Sequence, residues 1–208
     1  MIEPLLSLVE KFELETRTAG FPNEVQTSPW EYGHSAAIIA LAAMIFESAL
    51  NRAAHLRKES VGKDRIAYFG SLVNDPWLSA AVAELFVVRD VIAHNHVWEG
   101  LVVNDDSGLR YTNGPVLSAG YGDKKYRALV DRTSRQTKKL GLNVVPTRMW
   151  RQDVLNVLVA LDKALSALEQ INPGYFDVTT PAFKFHGEYV SFRDAVSRMK
   201  ATKLTKAG

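Results

Sequence analysis

Apolar residues recur at helical spacing in four long stretches of this chain, and between the third and fourth the spacing turns to alternation. Leu5, Leu6, Leu8, Val9, Phe12 and Leu14 predict a first helix over residues 3–17. Gly20, Pro22, Asn23, Ser28 and Pro29 then break the pattern into a loop. A second helix, capped by His34 or Ser35, is expected to run to about residue 58, with Ile38, Leu41, Ile45, Ala49, Ala53 and Leu56 as its stripe. Residues 62–76 read as irregular, with a helical turn around 66–72. Asp75 as N-cap and Pro76 at the first helical position start a third helix over residues 77 to about 94. Its buried surface is expected from Leu78, Val82, Leu85, Phe86, Val88 and Ile92.

Residues 97–103 are β-rich, 104–108 form a turn signal and 109–112 return as a second strand. A Gly-rich loop is expected over 113–122, and 142–145 is a candidate strand. Thr147 is the expected N-cap of a fourth helix to about residue 170, with Leu155, Leu158, Val159, Leu161, Leu165 and Leu168 inward. Asn172-Pro173-Gly174 ends it, and a short last helix is expected over 191–199. The fold class is therefore mainly α. It is a bundle of four to five helices, one domain over 1–200, with a β-containing insertion at about 97–146. A basic tail follows at 201–208.

Composition constrains chemistry more than fold. The 208 residues include no cysteine, so disulfides and thiolate metal sites are excluded, and a cytoplasmic location is the expectation. The start of the chain lacks the basic segment of a signal peptide. The longest apolar run, residues 36–46, is short of the roughly 20 residues a membrane span needs, so no membrane association is expected. Net charge is only +2 but unevenly placed. Between Lys124 and Arg151 nine basic residues face a single acid, Asp131. Lys124, Lys125, Arg127, Arg132 and Arg135 are the candidate RNA-binding residues of this segment; a solvated lysine-rich loop is the alternative.

The candidate chemistry lies at the end of the third helix, in Arg89-Asp90-Val91-Ile92-Ala93-His94. Arginine followed by a polar residue, with histidine after four more positions or so, resembles the signature of the HEPN superfamily (higher eukaryote and prokaryote nucleotide-binding domains). Arg89, Asp90 and His94 match its arginine, polar neighbour and histidine. The order of helices extends the likeness over most of the chain, while the β-bearing insertion is not part of the minimal bundle. The resemblance implies a metal-independent endoribonuclease without a cofactor, working as a homodimer with both motifs in one cleft. It also implies use as a toxin or antiviral effector, with an antitoxin or regulatory protein as a further partner.

The residues suit that chemistry on their own terms. A neutral His94 can take the proton of an RNA 2′-hydroxyl, and Arg89 offers a fork of donors with permanent charge for phosphate oxygens. Asp90 lies four residues before His94, on the same helical face, and is expected to orient the imidazole. Asn95, His96, Glu47 and Asn51 are supporting candidates, Glu47 through an ion pair to Arg89. His94 and His96 form no metal site because no third ligand is evident. Tyr111, Tyr121 and Tyr126 are equally candidates for base stacking and for packing. Two alternatives stay open: a helix end in which His94 complements the dipole, and a non-catalytic RNA-binding or protein-interaction module on the same fold.

Overall fold

The computed structural model describes residues 2–14, 28–94, 98–99, 102–106, 108–111, 116–117 and 124–201. It is mainly helical, and seven α-helices lie among the described residues. Four are principal: α1 (Ile2–Leu14), α2 (Pro29–Arg57), α4 (Pro76–His94) and α6 (Arg151–Ile171). Shorter helices are α3 (Arg65–Val73), α5 (Lys124–Leu129) and α7 (Phe192–Ala201). The basic tail from residue 202 lies outside the described residues.

Helix α2 is the centre of the bundle. It packs against α1, α4 and α6, so it needs apolar residues on more than the single stripe read from the sequence. Ile38, Ile39, Ala42, Ala43, Ile45, Phe46, Ala49 and Leu50 are all buried, whereas Leu56 is exposed. The small alanines allow close approach, and Phe46 meets Phe69 and Phe86 edge to face at 5.0 and 6.0 Å. Trp30–Arg57 is long and apolar enough to cross a membrane by length and composition. Half of its most apolar window is buried within the bundle, while Met44 and Leu56 are exposed.

The start of α2 differs from expectation. Ser28 is the N-cap, its Oγ accepting from the Glu31 N–H at 3.2 Å, with Pro29 at the first helical position. His34, expected as a cap, lies inside the helix between the Phe12 and Trp30 rings. The third principal helix matches its reading, with the Leu78 N–H donating to Asp75 at 2.9 Å. Thr147, by contrast, lies in a 3-10 turn (Pro146–Arg148), and α6 begins only at Arg151. There the Trp150 N–H donates to Asp153, which reaches back as a cap at 3.0 Å.

Between α4 and α6 the strands form small antiparallel ladders. β1 (Trp98–Glu99) pairs β4 (Val116–Leu117) outside the hairpin of β2 (Val102–Asp105) and β3 (Gly108–Tyr111). The stretch read as Gly-rich loop thus contains a strand. β5 (Val130–Asp131) pairs β6 (Gln136–Thr137). Residues 142–145 form no strand; Asn143 makes a lone bridge to Gln136. A further hairpin, β7 (Phe183–Phe185) with β8 (Glu188–Val190), was not expected. His186 and Gly187, with φ of 50° and 82°, make its two-residue turn, the left-handed pair a tight hairpin requires. The His186 backbone N–H and ring bond Glu10 and Glu13, tying the hairpin to α1.

Asp153 carries a pH dependence. It is 1% exposed and accepts from the Asn143 backbone and side chain. Burial outweighs these bonds and pushes its carboxyl from an ordinary 3.8 up to about 6. The folded state therefore binds the proton more tightly than the unfolded chain. The associated stability is fully present below about pH 4 and is lost as pH rises through about 6. Chemical unfolding of wild type against Asp153→Asn, from pH 4 to 7, should show wild type gaining up to about 3 kcal/mol relative to the variant on the acid side. A flat difference across that range counts against the assignment.

Candidate functional site

Helix α4 is buried on all sides over residues 81–88, and the chain returns to the surface at Arg89 and Asp90. Arg89 is 31% and Asp90 56% exposed at their side chains. Arg89 Nε stands 3.1 Å from Asp90 Oδ1, but without the alignment of a hydrogen bond. The guanidinium lies over the Phe86 ring, 5.2 Å from its centroid, and Phe86 is itself wedged against Phe46. The cation thus rests on a ring that belongs to the core. Among the described residues its terminal nitrogens meet no carboxylate or carbonyl, so they are open to an incoming oxyanion.

The helix stays regular through His94, its last residue. Positions 89 and 94 are therefore about 140° apart around the axis at 3.6 residues per turn. Unwinding of the helix end near Asn95, the other way to bring the two side chains together, falls outside the described residues. Asp90 stands beside its neighbour Arg89, and its expected approach to His94 falls outside the described residues. The His94 side chain, Asn95 and His96 lie outside the described residues.

Two supporting candidates lie elsewhere. Glu47 pairs with Arg65 of α3 at 2.5 Å instead of orienting Arg89. Asn51, one turn further along α2, is exposed. In the basic segment, Lys124, Arg127 and Arg132 are exposed. Arg135 is half-buried with a left-handed φ of 58°, in the turn between β5 and β6. Lys125 belongs to α5, but its side chain is outside the described residues, as are Tyr121 and the Tyr111 side chain. Tyr126 is 7% exposed and belongs to the core, which removes it as a stacking platform.

Glu84, which receives no role from the sequence reading, proves to be fully buried on α4. Its two oxygens accept from the Lys139 and Leu140 backbone N–H groups at 2.7 and 2.8 Å. With α5 also packed on α4, the basic segment is fastened to the helix that carries the motif. Glu84→Ala strands two backbone donors and should cost about 1–3 kcal/mol. Hydrogen exchange should locate the damage at the Lys139 and Leu140 amides first; unchanged protection there would contradict the anchor.

Among the described residues no group of three histidines or carboxylates stands together to hold a metal ion. Compared with family models, with curated proteins and with solved structures, the chain finds no match in any of the three.

Proposed function

We propose that this chain is a metal-independent endoribonuclease of the HEPN type. The observation that carries the reading is Arg89: a guanidinium lying over the Phe86 ring, its terminal nitrogens meeting no carboxylate or carbonyl among the described residues, five residues before the histidine that ends the same helix. In the proposed reaction His94 removes the 2′-hydroxyl proton of RNA. The 2′-oxygen bonds to phosphorus, the 5′-oxygen leaves, and a 2′,3′-cyclic phosphate remains. Arg89 holds the charge that grows on the phosphorane oxygens.

Because positions 89 and 94 diverge, the reading uses two chains, with Arg89 of one copy beside His94 of the other across a two-fold axis. The second histidine protonates the leaving oxygen. Use as a toxin or antiviral effector, held in check by a partner protein in the cytoplasm, rests on the family likeness alone. The test is incubation of purified protein with an RNA pool in excess chelator, beside Arg89→Ala and His94→Ala. Cleavage by wild type alone, leaving cyclic phosphate ends, supports the enzyme. No cleavage of any pool, or cleavage indifferent to both substitutions, leaves the non-catalytic interaction module as the better reading.

A further inference from the structure

Near the opposite end of α4, Trp77 stands 43% exposed in the first turn of the helix. A large aromatic there contributes little to the core, and two open grooves, each of about 360 Å³, meet at its ring. The two differ in charge. One is lined by Asp75 and by Asp162 with its partner Arg193, and there Lys163 lies over the indole at 4.9 Å. The other is lined by Trp77, Lys139, Gln152, Asn156, Val159 and Lys200, with two cations and no carboxylate among its lining residues.

We propose that this second groove binds single-stranded RNA, with a base stacked on Trp77 and phosphates on Lys139 and Lys200. The chemistry is that of sequence-tolerant single-strand recognition, in which a ring takes the base face and flanking cations follow the backbone. Preorganisation sets the site apart from a casual basic patch. Lys139 is placed by the buried Glu84, which binds its backbone N–H at 2.7 Å. The Asn156 amide is fixed between Gln152 Nε2, which donates to its Oδ1 at 2.8 Å, and the Leu140 carbonyl, which accepts from its Nδ2 at 2.9 Å. That leaves Gln152 Oε1 to accept from a base edge. The groove lies about 18 Å along α4 from Arg89, counting twelve residues at 1.5 Å each. It is thus a site separate from the motif, and takes from the proposed ribonuclease reading only that the ligand is RNA.

Binding of a fluorescent 2′-O-methyl oligouridine, which lacks the attacking hydroxyl, tests it by anisotropy without cleavage. Trp77→Ala should weaken affinity about 5- to 150-fold, and Trp77→Tyr should restore most of it. Lys139→Ala and Lys200→Ala, both at exposed side chains, should each weaken binding and flatten its salt dependence by roughly 0.7 in the log–log slope. Unchanged affinity in all three alanine variants overturns the proposal. So does a duplex, or a polyglutamate peptide, bound as tightly as the single strand. The two readings fail separately. Cleavage lost at His94 with binding indifferent to Trp77 removes the groove and keeps the motif. Binding lost at Trp77 in a protein that cleaves nothing does the reverse.

Discussion

Alanine at Arg89 should lower RNA cleavage by about 10²–10³-fold, and alanine at His94 by about 10²–10⁴-fold, with the fold left standing. The magnitudes follow from what each group would supply. A preorganised cation aimed at a developing phosphorane is worth a few kcal/mol of transition-state stabilisation, and a positioned base a similar amount. The fold should survive because the Arg89–Asp90 contact is partly exposed, and such pairs contribute about 0–1 kcal/mol. Lysine at Arg89 should rescue little, because a point charge cannot present two parallel donors to one phosphate. Mixing the two inactive alanine variants carries the sharper consequence. If Arg89 and His94 work across two chains, mixed dimers contain one Arg89–His94 pair, with water in place of the second histidine as acid, and should recover a small but measurable fraction of cleavage. Mixtures as dead as their components would place the whole reaction within one chain and defeat the paired arrangement.

What the sequence made legible was local. Asp75-Pro76 announces a helix by its own chemistry, and the structure agrees to the residue. Ser28-Pro29 carries the same signal, but the loop-like run before it makes it look like a break; proline breaks a helix only from inside. Lys-Phe-His-Gly-Glu hides a hairpin because the strands on either side are three residues each, too short to show alternation. The site divides the same way. Arg89, its exposure at a helix end and its neighbour Asp90 follow from position along α4. Its packing on Phe86, the diversion of Glu47 to Arg65 and the role of Glu84 do not. Glu84 meets partners 55 and 56 residues away, and no periodicity within α4 encodes what covers it. A lone glutamate in an apolar helix is nonetheless a usable signal, since a buried carboxylate has to be met by donors.

The largest effect on stability should come from Glu31→Ala, at about 3–5 kcal/mol. Glu31 sits in the first turn of α2 with 1% exposure. Its Oε1 accepts the Arg151 backbone N–H at 2.9 Å, and its Oε2 the Arg151 Nε at 3.3 Å. That backbone N–H opens α6, so it has no acceptor inside its own helix. The carboxylate also faces the positive ends of two helices, α2 and α6, both of which favour an anion there. The Arg151 guanidinium in turn lies 4.7 Å from the ring centroid of Phe12 in α1. One carboxylate thus joins three principal helices, and alanine would remove the acceptor while leaving the arginine charge in a mostly enclosed position. Against a typical 5–15 kcal/mol of total stability the loss is severe, and melting should fall by roughly 10 °C or more. Glu31→Gln keeps a neutral acceptor for the α6 N–H and should cost clearly less. Pairing Glu31→Ala with Arg151→Met in a double-mutant cycle separates the charge from the packing: a coupling near zero, or a Glu31→Ala protein within 1 kcal/mol of wild type, would mean that the helices are held by their apolar contacts alone.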